Sequence, residues 1–306
     1  MKKDDKAISK RNLRKHIFVY IMLAYTLLHF AVFYVYVNFS SFSLAFIDKI
    51  TGAPNNFENF KFFFDDFAMG EKSVILSNLG NTLKYFLVNT ICQLPIAMFL
   101  AYFLYKKILG NKIFMVIFMI PMLISTVVLA DVYIQALSEN GVIGKFYQRV
   151  TGKDTLLLYN SATATPSILI FCLWTGFGLN LIMFNGSMSR IPESIVESAK
   201  LEGVGFWKEL FSITLPMIWP TFSMLMMLSV TGVFASTGPI VLFANGSDLN
   251  ISTIDFWMYQ NVAAANGANK EYNLAAALGM ILTVASLPIF LFVMWLRKKL
   301  NPEVTY

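Results

Sequence analysis

Charged residues are scarce in this chain of 306 residues. Lys, Arg, Asp and Glu make up 14% of it, whereas 57% of the residues are hydrophobic and the mean hydropathy is +0.61. Soluble domains carry roughly 25% charged residues and cannot leave this much apolar surface in water. The composition therefore excludes an ordinary soluble domain and favours a protein whose solvent is the lipid bilayer.

Cysteine and histidine are nearly absent, with two residues of each. Cys92 and Cys172 lie in apolar runs, so they are interpreted as small buried hydrophobic residues rather than as a disulfide or a metal site. His16 and His29 have no metal-ligating residues beside them. The sequence therefore predicts no metal site.

Nucleotide-binding and hydrolytic motifs are also missing. No G-x-x-x-x-G-K-[ST] phosphate loop is present, and the fragments GEKS at 70–73 and TGKD at 151–154 lack its spacing. Neither H-E-x-x-H nor G-x-S-x-G occurs, and no apolar run holds a pair of carboxylates. We therefore expect that the chain is not an enzyme and holds no cofactor. If it transports a solute against a gradient, a partner chain must supply the energy.

Six apolar windows are long enough to cross roughly 30 Å of hydrocarbon. They lie at about 17–39, 81–105, 113–137, 166–188, 215–236 and 274–296. A membrane-spanning backbone must satisfy its hydrogen bonds internally, and no ten-residue alternation indicates a barrel, so each window is predicted to be a helix. The first window is too long for a signal peptide and is expected to remain in the membrane. The predicted fold class is all-α, a polytopic bundle of six transmembrane helices.

The basic residues predict the orientation of this bundle. Seven of them precede the first window, and groups of three follow at 106–112, 190–208 and 297–299. Together these are 16 of the 24 basic residues, and positively charged connections stay in the cytoplasm. Both termini are therefore predicted to be cytoplasmic, with 1–16 as a basic tail and 17–306 as the membrane domain.

One acidic residue lies inside an apolar window. Asp131 stands toward the outer end of the third window, where a charge costs a few kcal/mol unless it faces protein or water. It is interpreted either as part of a solute path together with Gln135, or as an interfacial acid near the outer head groups.

Further polar residues lie in the second and fourth windows. Asn89 and Gln93 interrupt the second window, and Trp174 and Asn180 belong to the fourth, where the Trp174 ring could stack on an apolar face of a ligand. For each of them, a hydrogen bond between helices is the alternative to contact with a solute. Together they indicate a polar, partly wet interior, which is typical of a transporter rather than of a structural anchor.

The connection at 189–214 is predicted to form a pair of short cytoplasmic helices. Pro192 begins the first helix, Gly203 is suited to end it in a left-handed conformation, and Pro216 returns the chain to the membrane. Connections within helix bundles usually have two to eight residues, whereas this one has roughly 25, so it is too long to be a plain connector. The acidic residues disfavour burial in an anionic membrane surface. The segment is therefore interpreted as a docking element for a cytoplasmic partner.

This segment resembles the EAA loop of bacterial ABC importer permeases, whose pattern is E-A-A-x-x-x-G and, about nine residues later, I-x-L-P. Glu197, Ser198 and Ala199 stand at E-A-A, with Ser198 in place of the first alanine. Gly203 stands at the glycine, and the sequence I-T-L-P ends at Pro216. The resemblance implies that these five residues couple the chain to an ATPase.

A second stretch is similar to the carbohydrate-uptake (maltose-type) branch of the same family. That branch often shows G-P-x-x-x-x-x-x-G followed by T-x-x-x-x-x-Y. Gly238, Pro239, Gly246, Thr253 and Tyr259 occupy those positions in the connection before the last window.

The resemblance implies a permease subunit of an ATP-driven, binding-protein-dependent importer for a sugar or oligosaccharide, in a bacterial or archaeal cell membrane. It implies a second permease, usually a paralogue, two ATPase subunits that hold ATP and Mg, and an extracytoplasmic solute-binding protein, with no nucleic acid. In that arrangement Glu197 makes a polar contact with the ATPase and Ala199 supplies a packing surface. A permease for a polyol, glycerol phosphate diester, polyamine or peptide is one alternative, and a structural membrane protein is another.

Overall fold

The computed structural model describes residues 2–55, 57–152, 156–235, 240–243, 251–267 and 270–300. Within these residues the secondary structure is helical, apart from one isolated β-bridge between Ile47 and Pro54. The predicted all-α class is therefore confirmed.

Fifteen α-helices are numbered here in chain order over the described residues. They are α1 (Lys2–Phe30), α2 (Val37–Leu44), α3 (Glu58–Ala68), α4 (Val74–Leu87), α5 (Leu94–Tyr105), α6 (Asn111–Leu123), α7 (Thr126–Leu137), α8 (Val142–Thr151), α9 (Ser161–Met188), α10 (Glu193–Leu201), α11 (Phe206–Glu209), α12 (Leu215–Thr231), α13 (Ile240–Phe243), α14 (Ile254–Val262) and α15 (Tyr272–Leu300). Three π-helical turns, Ala31–Tyr36, Val88–Gln93 and Leu210–Thr214, connect α1 to α2, α4 to α5 and α11 to α12 without a break. Each of these pairs therefore forms one long helix.

Five segments of the described chain are long and apolar enough to cross a bilayer as single helices. They are His16–Leu44, Val74–Tyr105, Ser161–Met188, Phe206–Thr231 and Tyr272–Lys299. They coincide with the first, second, fourth, fifth and sixth predicted windows. The chain is therefore a multi-pass membrane protein.

The third predicted window, at 113–137, is not one straight helix. The chain bends by 104° between Asn111–Leu123 and Thr126–Thr151. Pro121 lies inside α6, where its ring crowds the preceding turn, and Ile124 is already extended with φ −93° and ψ 146°. With 13 residues, α6 is about 20 Å long, which is less than the thickness of the hydrocarbon. The third window is therefore a bent pair of helices rather than one straight helix, and the count of six spans includes this pair as one.

The second and fourth spans pack tightly against each other through α5 and α9. Ala97 and Ala101 of α5 are fully buried, and so are Leu181, Phe184 and Met188 of α9. Small residues let two membrane helices approach closely, and the larger side chains of the partner fill the space. This pair forms the core of the half of the bundle that leads into the connection at 189–214.

The two cysteines differ in their surroundings. Cys172 is partly buried, but Cys92 is exposed on this chain, so the expected burial of Cys92 is wrong. Cys92 lies in the π-helical turn between α4 and α5, in which Thr90 and Gln93 are the buried residues. No group of three His, Cys, Asp or Glu residues suited to a metal occurs in the part of the chain that the structure describes.

Candidate coupling site and solute pathway

The first half of the 189–214 segment is helix α10. Pro192 precedes it with an extended backbone (ψ 133°), and Glu193 lies in the first turn, where a carboxylate interacts favourably with the helix dipole. At the other end Gly203 adopts φ +68°. The predicted left-handed glycine at the end of this helix is therefore confirmed.

The end of α10 is a Schellman motif. The Val204 N–H donates to the Ala199 carbonyl at 3.0 Å, and the Gly203 N–H donates to the Lys200 carbonyl at 3.1 Å. These two bonds satisfy carbonyl groups that the helix itself cannot pair. The break after α10 is thus a fixed turn, which gives the helix a defined direction.

Helix α10 has one face on the bundle and one face toward solvent. Ala199 is buried, and Val196 packs against the core cluster around α5 and α9. Glu197 and Ser198 are exposed, and Leu201 beside them is 89% exposed. Together with the exposed Ile195, Leu201 gives the solvent side of this helix an apolar component beside its charged residues.

The second half of the segment, α11, is held against α5 by aromatic rings. The Phe206 ring lies 5.0 Å from Tyr102 and 5.3 Å from Phe103 between centroids. The Trp207 ring meets Phe99 edge to face at 6.1 Å. Such pairs contribute about 0.5–1.5 kcal/mol each beyond the apolar area that they bury.

An ion pair reinforces this contact. The Lys106 ammonium group, just after α5, contacts the Glu209 carboxylate of α11, and it also lies 5.6 Å from the centre of the Tyr102 ring. The side chains of Lys106 and Glu209 are 22% and 7% exposed. Sequence analysis missed this pair because the two residues are 103 positions apart. In the sequence, Lys106 is one of the basic residues at 106–112 that predict which side of the membrane this connection occupies.

The helix of the fifth span begins earlier than the predicted window at 215–236. It runs from Phe206 to Thr231 without interruption. Pro216 lacks a backbone donor, and the π-helical turn Leu210–Thr214 directly before it accommodates this defect. From Phe206 onward, the 189–214 segment and the fifth span therefore form one rigid helix. The whole 189–214 segment is called the coupling segment below.

A cavity of about 520 Å³ separates α10 from the ends of α5 and α9. Its charged lining residues are Lys106, Lys107, Glu193, Glu197 and Lys200. Both signs of charge are present, so the cavity is wet and polar rather than a selective anion site. It leaves the inner side of α10 room to shift relative to the bundle.

The predicted pathway residues Gln93 and Asn89 lie at the π-helical turn between α4 and α5. The Gln93 side chain is buried in a gap beside Gly176 of α9, where a Cβ atom would overlap its amide. The Asn89 Oδ1 atom is buried without a hydrogen-bond partner among the described residues. Single π-helical turns are frequent at functional sites. The turn therefore places two amide groups in the middle of the second span.

The other four predicted pathway residues lie elsewhere. Trp174 is exposed and Asn180 is partly buried, both on α9. Asp131 and Gln135 are exposed on α7, beyond the bend, and the Gln135 amide donates to the Asp131 carboxylate at 3.0 Å. This hydrogen bond joins the two residues that were expected to act together.

Part of the outer signature has a structural role. Thr253 is fully buried, and its hydroxyl accepts a hydrogen bond from the Phe256 N–H at 3.3 Å, so it caps α14. Tyr259 is exposed on the same helix. Gly238, Pro239 and Gly246 lie outside the described residues.

The first span makes little contact with the rest of the chain. Within His16–Leu44, the most apolar window of 18 residues contains no buried residue. Its end, around α2, packs against α15.

Comparison with known proteins gives one family match and many relatives. The model of the family described as "Binding-protein-dependent transport system inner membrane component" matches residues 93–306. The arabinooligosaccharides transport system permease protein AraP of Bacillus subtilis (strain 168) is 26% identical over 277 residues, which is 89% of this chain and 86% of AraP. The sn-glycerol-3-phosphate transport system permease protein UgpA of Shigella dysenteriae serotype 1 (strain Sd197) is 24% identical over 196 residues, 63% of this chain and 66% of UgpA.

A solved structure shares the fold. It is the bacterial alginate ABC transporter in complex with an alginate pentasaccharide-bound periplasmic protein. One of its chains superposes with a TM-score of 0.82 and 21% identity, covering 96% of this chain and 99% of that chain.

Proposed function

The chain belongs to the family of binding-protein-dependent transport system inner membrane components, and on that premise we propose that it forms part of the path for a sugar or oligosaccharide in an ATP-driven importer. Two similar proteins support the solute class: AraP is named for arabinooligosaccharides, and the alginate transporter was solved with a pentasaccharide-bound periplasmic protein. UgpA is named for sn-glycerol-3-phosphate, so a glycerol phosphate is the second candidate.

The coupling surface is the exposed face of α10. Glu197 and Ser198 provide polar contacts, and Leu201 provides an apolar anchor for a groove on an ATPase subunit. Gly203 fixes the end of α10, and Ala199 seats it on the bundle. ATP and Mg are held by that partner, and the movement of α10 reaches the membrane through α11 and the fifth span. The fixed turn after α10, which gives the exposed face of this helix a defined direction, is the observation that carries this assignment.

The first span supports the presence of a second permease. The most apolar part of this helix is not buried by the rest of the chain, so it is available to pack against a neighbouring subunit. The resemblance to ABC importer permeases implies that this second permease is a paralogue.

The solute path includes the six predicted polar and aromatic residues. Gln93 and Asn89 offer hydrogen bonds at mid-membrane, and Asn180 and Trp174 of α9 offer a further amide and a ring that stacks on a sugar face. Asp131 and Gln135 lie where a solute delivered by an extracytoplasmic binding protein enters. Both termini and the 189–214 segment are cytoplasmic, and the membrane is that of a bacterial or archaeal cell.

The assignment is tested by co-purification. The affinity-tagged chain, expressed with the permease and ATPase genes that accompany it, is expected to retain the ATPase. Deletion of residues 192–203 and Leu201→Asp should each abolish that retention. The matched control is Val142→Asp on α8, another exposed apolar residue on a short helix, which should leave it intact. Retention by the Leu201→Asp and deletion variants would contradict the coupling role. Calorimetric screening of the binding protein against glycans and glycerol phosphates then decides between the two solute classes.

A further inference from the structure

Helix α3 is an amphipathic segment that lies against the start of the last span. Its Phe63 is fully buried and meets Trp257 edge to face at 6.0 Å, and the helix packs on α15 and α4. Away from that contact, Phe57, Phe62 and Phe64 are exposed, the first directly before the helix and the other two on different faces of it. So many exposed phenylalanines are unsuited to a surface in water.

A groove of about 400 Å³ runs between α3 and α15. It is lined by Phe46, Phe57, Phe60, Lys61, Phe64 and Met280. Apart from the Lys61 amine, every lining side chain is apolar. Three of the rings form a cluster with centroid distances of 5.3 Å (Phe46–Phe57), 5.3 Å (Phe46–Phe60) and 5.7 Å (Phe57–Phe60). A sugar would find almost no hydrogen-bonding groups there.

The groove is continuous with the apolar surface of the last span. Met280, Val284, Leu287 and Leu291 follow at spacings of four, three and four residues, so they lie along one face of α15. Val284, Leu287 and Leu291 are exposed. Met280 lies about 12 Å along the helix from Tyr272, within the apolar part of this span. An alkyl chain in the groove can therefore continue down this face.

The backbone at the mouth of the groove is strained. Phe57, the residue before α3, has φ +69°, a conformation that is rare for a bulky side chain and costs about 1–3 kcal/mol. This conformation places the exposed Phe57 ring on the wall of the groove beside Phe46 and Phe60. The strained backbone at Phe57 thus helps to form the wall of the groove.

Lys61 provides the charge at the rim. No carboxylate lies within ion-pair distance of its amine among the residues with described side chains. A lysine ammonium is a compact point charge that binds phosphate, and its stem can lie along an apolar wall. One cation above an apolar groove complements an anionic head group above an acyl chain.

A helix from another subunit fits this groove less well. One turn of an α-helix, about 10 Å across and 5.4 Å long, would already fill a volume of this size. We propose that the groove binds a glycerophospholipid with an anionic head group, its acyl chain among the phenylalanines and its phosphate at the Lys61 Nζ atom. The proposal requires only that α15 crosses the membrane, so it is independent of the solute and of the coupling role.

The test is photo-crosslinking in the complete transporter, reconstituted in nanodiscs of phosphatidylglycerol and phosphatidylcholine. p-Benzoylphenylalanine replaces Phe64, which lines the groove and is 64% exposed. The control position is Phe62, which is 47% exposed on the same helix but does not line it. Mass spectrometry of the irradiated chain is expected to show phosphatidylglycerol on position 64, enriched about fivefold over the bilayer composition, which equals ~1 kcal/mol. The enrichment should be absent at position 62.

The head-group contact is tested in the same assay. Lys61→Gln should reduce the lipid bound at position 64 to the bilayer composition, and Lys61→Arg should retain the enrichment. Three results would overturn the proposal: a cross-link to another polypeptide, equal lipid capture at both positions, or no adduct at position 64. ATPase activity stimulated by the loaded binding protein, measured on the same nanodiscs, separates a failed lipid site from a failed transporter.

Discussion

Lys106 at the end of α5 and Glu209 at the end of α11 form an ion pair that fastens the coupling segment to the second span. Helix α5 continues through a π-helical turn into α4, and that turn carries Gln93. The same contact region includes the rings of Tyr102 and Phe206. In the proposed coupling role, a displacement of this segment would be passed to two spans, directly to the fifth and through this ion pair to the second.

Removing one charge of this pair should destabilise the chain unequally. Lys106→Met leaves the Glu209 carboxylate buried without a cation, which costs about 3 kcal/mol. Glu209→Gln leaves the Lys106 ammonium group without a carboxylate partner. Because the Lys106 side chain is 22% exposed and can reach water, the loss of stability is smaller. Thermal unfolding of the purified complex should show the lowest apparent midpoint for Lys106→Met.

The double variant separates the pair from its surroundings. Lys106→Met combined with Glu209→Gln should be more stable than Lys106→Met alone, because no buried charge is left unpaired. ATPase activity should become less dependent on the loaded binding protein in all three variants. Equal midpoints for the two single variants, with coupling unchanged, would show that the ion pair does not transmit movement.

Gly203 should tolerate only residues that adopt a left-handed backbone. No atom lies within 4 Å of a Cβ placed on it, so a substitution acts through the φ of +68° alone. Gly203→Val costs about 1–2 kcal/mol, which corresponds to roughly 5–30-fold in an equilibrium, whereas Gly203→Asn costs less. ATP-dependent uptake should therefore fall strongly for the valine variant and little for the asparagine variant.

The matched control for Gly203 is Gly205. It is equally free of neighbours, but its φ is −70°, so Gly205→Ala should have no effect on uptake. If Gly203→Val transported as well as Gly205→Ala, the fixed turn after α10 would have no part in coupling.

Gly176 should be sensitive to a single methyl group. Its Cβ would overlap the Gln93 amide, so Gly176→Ala forces Gln93 out of its place in the second span. Alanine favours the helix by about 1 kcal/mol relative to glycine, so weakened helix formation does not explain a loss. Initial uptake rates should fall for Gly176→Ala and for Gln93→Ala, and the double variant should transport no worse than Gln93→Ala alone, because both changes act on the same amide.

The control in the same helix is Gly186, which has open space around it. Gly186→Ala should transport normally. Normal transport by Gly176→Ala would show that the position of Gln93 does not matter for the solute path.

The orientation predicted from the basic residues can be read from cysteine labelling. In a chain expressed without the ATPase and in a background of Cys92→Ser and Cys172→Ser, Leu201→Cys and Val142→Cys place thiols at two highly exposed positions. A membrane-impermeant maleimide applied to intact cells should label position 142 and should label position 201 only after permeabilisation. The reverse pattern would place the coupling segment outside the cell and exclude contact with a cytoplasmic ATPase.

The sequence predicted the features that depend on local pattern. Apolar windows give the helical spans, because hydropathy over about 20 residues reports burial in lipid directly. The glycine at position 203 indicates the end of α10, because only a few residue types adopt that backbone conformation without cost. Both predictions follow from properties of neighbouring residues.

Features that depend on direction or on distant residues could not be predicted. Hydropathy does not report the direction of a helix, so the bend at Ile124 was missed although Pro121 stands before it. Pro216 was taken as the start of the fifth span, because a sequence does not show that a π-helical turn can absorb the proline. The pairing of Lys106 with Glu209 requires α5 and α11 to meet in three dimensions.

The most direct test of the central claim is solute uptake into proteoliposomes that contain this chain, its partner permease and the ATPase. The binding protein, loaded with a radiolabelled oligosaccharide, is supplied outside, and ATP is enclosed inside. The account predicts uptake that requires both ATP and the binding protein and that is lost when residues 192–203 are deleted. Uptake that persists after the deletion, or that proceeds without ATP, would contradict it.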